Sequence, residues 1–281
     1  MRKSKFFRAE KLFDNVTAIA GLAGELCFLV EGSEKALLID TLVGVGSLKA
    51  YVRELTDLPV QVVNTHGHLD HCGGNFEYGA CYLHPADIGL LYNHSDPAGR
   101  LAFAKQGTVP GRCQPLPEDV VPPCPLKTYP VYDGDVFDLG GVSLEVIGVP
   151  GHSRGTIVLL DRARRVVYSG DACNCNTLLF IEGATSIEEY KESLLHFKTF
   201  QPDFDVMYGG HGLIPVPKEI IDDAVSLCEE IMAGTDDGEP GETVGRPCLY
   251  AKKKRPNFTR LDGGLANIAY RKDGIWKNGG K

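Results

Sequence analysis

No run of apolar residues in this 281-residue chain approaches the roughly 20 that carry a helix across a bilayer. A membrane partner is therefore not expected. The first residues, MRKSKFFRAEKLFDN, are basic but lack the apolar core of a secretion signal, so a cytoplasmic location is expected. Basic charge is also in short supply. The chain has 29 Lys and Arg against 37 Asp and Glu, a formal net charge of −8. Enzymes of nucleic acids usually carry a basic face, so no nucleic-acid partner is expected, and a small-molecule substrate is. A disulfide framework is missing too. The nine cysteines are odd in number and irregularly spaced, and they read as reduced, mostly buried thiols. No tandem repeat of fixed period is present.

What remains is an ordinary globular composition, 43% apolar and 23% charged, at a length that suits a layered α/β enzyme. Three short strands are expected over 15–41, in NVTAIA, ELCFLVEG and KALLIDT, followed by a helix over 47–57. VQVVNT and GACYLH read as strands, and PADIGLLYN as a helix with Pro near its start. Residues 95–128, rich in Pro and Gly, read as an irregular or partly helical insertion fit to wall a pocket. Strands resume with DVFDLGG, VSLEVIGVP, TIVLLD and RVVYSG. A helix over 186–200 is expected, capped by Ser186 with Glu189 three residues on. DVMYGG reads as a strand, and 217–234 as an amphipathic helix ending at Gly234. Residues 235–247 read as a mobile linker, and the tail as strands CLYAKKK, ANIAYR and GIWK. The division is a catalytic domain over 1–234, with its insertion at about 95–128, and a linker and C-terminal strand extension of the same domain over 235–281.

Four apolar strands end in a glycine beside a residue able to bind metal: VVNTHGH, VIGVPGH, VVYSGD and VMYGGH. Strands aligned in a sheet bring such ends together, and the glycines allow sharp turns there. The densest segment is Thr65-His66-Gly67-His68-Leu69-Asp70-His71, with four potential ligands within six residues. Imidazole and carboxylate are the ligands of zinc or iron. Gathering them without a metal leaves polar groups to desolvate at a cost. One ion needs about four ligands. Adding His152, Asp171 and His211 makes seven, which suits two ions sharing a carboxylate.

HGHLDH resembles the HxHxDH signature of the metallo-β-lactamase superfamily, and the downstream order is similar: Pro150-Gly151-His152, then Gly170-Asp171, then Gly210-His211. The resemblance spans roughly 14–215 and implies an α/β fold, a four-layer αββα sandwich with metals at one edge. It implies one metal on His66, His68 and His152, a second on Asp70, His71 and His211, and Asp171 as the bridge. Asp40 matches an early strand-end aspartate that supports ligands from behind. The implied cofactors are two divalent ions, zinc first, with iron or manganese as alternatives. The implied catalyst is a hydroxide between them, with Asp70 also orienting it, acting on a small thioester, ester or lactone.

The length and motif order look most similar to the glyoxalase II-like branch, although GDACNCNTLLF departs from that branch's loop after GD. Asn174 stands where lactonases of the superfamily often carry Tyr. The Asp70-His71 pairing argues against a true β-lactamase. The rival readings are an iron-dependent oxidoreductase like the persulfide dioxygenases, a phosphodiester hydrolase and a non-enzymatic binding module.

Other residues carry milder expectations. Asn176 and Tyr208 are candidates for substrate contact, and Glu182 stands near them. His84 reads as a loop residue, His94 as a solvated turn residue and His196 as packing or surface. Cys173 and Cys175 flank Asn174 and read as structural thiols ahead of a redox pair. Lys252 to Arg255 read as a solvated strand edge. The tail is a candidate cap over the site or a candidate homodimer contact.

Overall fold

The computed structural model describes residues 4–277, so 1–3 and the last four residues of the 235–281 extension lie outside it. A seven-stranded sheet takes its strands in chain order. They are β1 (Arg8–Phe13), β2 (Val16–Ala20), β3 (Leu26–Glu31), β4 (Ala36–Ile39), β5 (Val60–Val63), β6 (Ala80–Leu83) and β7 (Lys127–Pro130). Helices α1 (Leu48–Arg53), α2 (Leu69–Cys72), α3 (Ile88–Asn93) and α4 (Pro97–Gly107) fall between them. The second half of the chain supplies β8 (Val136–Asp138), β9 (Ser143–Gly148), β10 (Ile157–Asp161), β11 (Val166–Gly170), β12 (Thr177–Leu178), β13 (Val206–Gly209) and β14 (Val216–Pro217). Six of these form a sheet in the order β14-β13-β11-β10-β9-β8. Helices α5 (Ile187–Lys198) and α6 (Ile220–Ala233) cover it. Strand β12 leaves to join β15 (Glu239–Thr243), β16 (Arg246–Tyr250) and β17 (Ile268–Tyr270) in a smaller sheet, ordered β12-β17-β16-β15.

Side-chain alternation builds the layers. Leu26, Phe28 and Val30 of β3 face Leu144, Val146, Ile157, Leu159 and Tyr168 across the gap between the two large sheets. Their neighbours Cys27 and Leu29 point the other way, into a core shared with Leu48, Tyr51 and Val52 of α1. On the far side Val158, Leu160 and Val167 pack on Tyr190, Leu194 and Phe197 of α5 and on Ile221, Ala224 and Cys228 of α6. Helix, sheet, sheet and helix thus stack in that order, the four-layer sandwich that the resemblance implied. Each fully buried Leu, Ile or Phe contributes about 1.5–3 kcal/mol.

The helix ends follow their local chemistry. Ser186 accepts from the Glu189 amide at 3.2 Å, while the Glu189 carboxylate takes the Ser186 amide at 3.1 Å, a reciprocal cap. Helix α6 stops at Gly234 in the left-handed region, at φ 68°.

Five strands were not foreseen: β1, β7, β12, β14 and β15, the last of which lies inside the stretch read as a mobile linker. The segment GIWK is not a strand. A 3-10 turn covers Lys272–Gly274. The backbone then hydrogen-bonds to the start of α5, with the Glu188 amide on the Ile275 carbonyl at 3.0 Å and the Lys277 amide on the Glu188 carboxylate at 3.0 Å. The insertion over 95–128 is more ordered than its composition suggests. Helix α4 is capped by Asp96, whose carboxylate accepts from the Gly99 amide at 2.8 Å. It is pinned by the buried Arg100, which donates to the Gly73 carbonyl at 2.8 Å and the Val121 carbonyl at 2.5 Å. No described helix is long and apolar enough to cross a membrane.

Candidate metal centre

Strand direction brings the four glycine-ended motifs together. Strands β4 and β5 are parallel, as are β11 and β13, and β9 runs with β11 because each pairs antiparallel with β10. Their C-terminal ends therefore lie at one edge of the sandwich. Two glycines are needed for the approach. At Gly170, with φ 48°, a Cβ would collide with Thr65, and at Gly210 a Cβ would collide with the His71 ring and Asp171.

The loop after β5 is held from behind. Asp40 accepts from the Thr65 amide at 2.7 Å, the Thr65 hydroxyl at 2.8 Å and His71 Nδ1 at 2.8 Å. The Asn64 amide group donates to the His71 carbonyl at 2.8 Å. Asp87, at the start of α3, was not singled out from the sequence, where an acid in a helix's first turn is unremarkable. Its buried carboxylate accepts from the Gly67 amide at 2.8 Å, the Ser153 hydroxyl at 2.6 Å and the Gly155 amide at 2.7 Å. It therefore ties the His66–His68 loop to the loop carrying His152.

All seven predicted donors meet at this edge. The ring atoms and carboxylate oxygens form three groups, each within 4.8 Å: His66 with His68 and His152, Asp70 with His71 and His211, and His66 with His71 and Asp171 between them. The Asp171 Oδ2 atom lies 3.6 Å from His152 Nε2, 3.7 Å from His71 Nε2 and 3.3 Å from His211 Nε2. Four imidazoles engage a second partner through one ring nitrogen, which orients the other inward. His66 Nδ1 is 3.1 Å from the Thr65 hydroxyl, His68 Nε2 is 3.0 Å from the Glu182 carbonyl, and His152 Nδ1 is 3.1 Å from the Leu178 carbonyl, while His71 uses Asp40. The inward atoms His66 Nε2, His71 Nε2 and Asp171 Oδ1 are buried and have no hydrogen-bond partner. Orphaned lone pairs of this kind are costly to bury and fit a cation.

The electrostatics split the site in two. Burial holds His66, His68 and His152 below the ordinary imidazole value, His152 at about 4, so these rings are neutral. At His71 and His211 burial opposes the charge, but the neighbouring aspartates outweigh it. Asp70 and Asp40 raise His71, and Asp171 with Asp70 pushes His211 up to about 10. Burial would raise Asp70 and Asp171, yet the histidines hold both below the usual carboxylate range. A divalent ion bound there would compete with protons for His71 and His211.

Above the cluster opens a cavity of about 350 Å³. Its walls include Leu69, Phe103, Leu178, Ile181 and Val244, with His94, Glu182 and Arg246 as polar members. His94 is not a solvated turn residue. Its ring stacks on His68 at 5.2 Å between centroids, and its Nε2 is 3.5 Å from the Glu182 carboxylate. Asn176 and Tyr208 are not among the lining residues. Tyr208 packs beside Phe13 and Phe28, and the Asn176 amide turns back onto the Asn174 side chain at 2.7 Å. His84 caps the 3-10 turn after β6, and His196 lies on the exposed face of α5, 3.1 Å from Asp133. All nine cysteines are free. Cys173 is buried, its thiol pushed up to about 12 by burial, whereas Cys175 is exposed. Lys252 is paired with the Glu230 carboxylate at 2.5 Å, and Lys254 lies over the Tyr250 and Phe258 rings.

The model of the metallo-beta-lactamase superfamily matches residues 20–211. The chain belongs to this superfamily. It is 33% identical over 170 residues to a human protein named acyl-coenzyme A thioesterase MBLAC2, a match covering 54% of this chain and 59% of that protein. The chain thus matches little more than half the length of that relative. An uncharacterized protein of Mycobacterium leprae is 30% identical, with 73% of this chain and 89% of that one covered. Among solved structures, a metallo-beta-lactamase from Pontibacter korlensis superposes with a TM-score of 0.58 at 16% identity, covering 78% of this chain and 97% of that one. At that identity the likeness is one of fold.

Proposed function

We propose that this chain is a metal-dependent hydrolase of acyl thioesters, with His66, His68 and His152 holding one divalent ion, Asp70, His71 and His211 a second, and Asp171 reaching both. The observation that carries the reading is the convergence of seven imidazole and carboxylate groups in two sets joined by a third, with His66 Nε2, His71 Nε2 and Asp171 Oδ1 buried and partnerless at their centre. The nitrogen and oxygen donors without thiolate suit zinc, with iron or manganese as alternatives. Bound there, such ions supply Lewis acidity for a carbonyl and lower the pKa of a water to about 7.

The chain's own groups do the rest. Asp70 lies at the cavity floor, 3.3 Å from His211 Nε2, and its ionised carboxylate accepts a hydrogen bond from an attacking water and aims it. Leu69, Phe103, Leu178 and Ile181 hold an acyl chain and exclude bulk water from the carbonyl. The thioester as substrate draws on the human relative's name and on this apolar wall. No serine or cysteine is among the described residues that line the cavity, and Cys173 is buried in the core behind α5.

The test is metal analysis coupled to turnover. Protein purified without added chelator should hold about two divalent ions per chain. It should cleave a panel of acyl thioesters, followed by release of free thiol. Exhaustive chelation should abolish turnover and zinc should restore it. Turnover that ignores both treatments sinks the reading.

A further inference from the structure

The turn between β15 and β16 reaches the cavity, where Val244 and Arg246 line it beside His68, Asp70 and His211. The two central residues, Val244 and Gly245, have φ of 47° and 69°, between the paired residues Thr243 and Arg246. Two positive values define the tight hairpin turn that strand twist favours, whose first position normally takes Asn, Asp or Gly. A β-branched valine there is strained. The strain falls where the hairpin meets the cavity, on a side chain that forms part of its apolar wall.

Alternation along β16 places Arg246 on the same face as Cys248 and Tyr250. Those two pack with Leu178 and Phe180, and Leu178 is itself a wall of the cavity. The hairpin is therefore anchored to the site that its tip overhangs. The other arginines of this part of the chain are engaged. Arg255 donates to the Arg260 carbonyl, and Arg260 pairs with Asp223 and Asp262. Arg246 is exposed, and no ion pair or side-chain hydrogen bond holds it among the described residues. The remaining charged side chains of the lining, histidines apart, are the acids Asp70, Asp171 and Glu182. A planar guanidinium with free donors at such a rim is built for a carboxylate or phosphate.

We propose that Arg246 is the anion-recognition residue of this site, binding a carboxylate or phosphate carried by the substrate while Val244, Phe103 and Leu178 hold its apolar part. The proposal rests on the thioester reading, and its test separates the two. Three substrates are compared: hexanoyl-coenzyme A, with phosphates on the thiol; glutaryl-N-acetylcysteamine, with a carboxylate on the acyl group; and uncharged hexanoyl-N-acetylcysteamine. Arg246→Ala should raise KM about tenfold for at least one charged substrate. It should leave kcat within about twofold and the neutral substrate unchanged, and Arg246→Lys should recover part of the loss. The arm that responds shows whether the anion sits on the thiol or the acyl side. No loss in either charged arm, or equal loss in all three, overturns the proposal.

Binding of the corresponding uncleavable thioethers, measured by calorimetry on the full chain, provides a readout without turnover. Tighter binding of a charged thioether than of the neutral one, with the preference lost in Arg246→Ala, supports Arg246 even if no thioester is cleaved. Binding of neither class, or equal binding of both, overturns it.

Discussion

The floor and the rim of the cavity are built on different principles. Every donor of the floor sits within five residues of a strand end or on α2, and each buried ring that points inward is braced by another hydrogen bond. The rim comes from parts distant in sequence: Phe103 on α4, Leu178 and Ile181 after the β11 loop, and Val244 and Arg246 on a hairpin. Floor residues are specified by the chemistry of their donor atoms. Rim residues are specified by where their backbone happens to reach. The lesson is that chemistry and selectivity are separable here, and substitutions on either side of the boundary should separate them in measurement.

The largest effect is expected at the centre of the floor. Asp171→Ala removes the carboxylate that lies within 3.7 Å of three histidines. Turnover should fall to background and metal content should drop. A variant that keeps full metal and activity would show that the three donor groups are not one centre. The next effect is expected one layer back. Asp87→Ala leaves the Gly67 and Gly155 amides without their acceptor and the Ser153 hydroxyl with Thr156 alone, although none of these touches the cavity. A loss of about 10–100-fold in metal affinity or activity is expected, as for groups that orient ligands. Metal titration reads it directly. Unchanged affinity would mean that the two loops are positioned without this tie.

The floor was legible in the sequence for a physical reason. Metal-binding chemistry requires particular residue types, and strand ends require particular neighbours, so HGHLDH and the three later glycine motifs stand out from their surroundings. The central strands were legible because burial on both faces writes a continuous apolar run, as in ALLI of β4 and VVYSG of β11. The five unforeseen strands share one property: each is an edge strand, β1 and β7 of the first sheet, β14 of the second, β12 and β15 of the third. Edges are guarded by charge and proline, as in RAEKLF, KTYP and EPGET, and such segments read as loop. His94 and Asp87 were misjudged or missed for a related reason. Their role is set by what folds against them from far along the chain, Glu182 in one case and Ser153 in the other.

Smaller effects should mark the rim. Phe103→Ala opens the wall contributed by the insertion, while Arg100 keeps α4 in place through Gly73 and Val121. Metal content should be unchanged. KM for a medium-chain acyl thioester should rise by about tenfold, the scale on which an apolar pocket discriminates. Any loss of metal would place Phe103 on the wrong side of the boundary between floor and rim.

The smallest effect, Val244→Gly, should carry opposite signs in two measurements. Glycine adopts a φ of 47° freely, so the strain of roughly 1–2 kcal/mol that valine bears in the turn is released. Glycine's greater freedom in the unfolded chain takes back about 0.5–1 kcal/mol. The net is a rise in Tm of about 1–2 °C. The same change deletes an exposed isopropyl group from the cavity wall and should weaken an acyl substrate by a few-fold in KM. A side chain kept only by accident would show the first change without the second. Higher stability together with poorer binding would show that the hairpin retains a strained residue for the contact it makes with substrate.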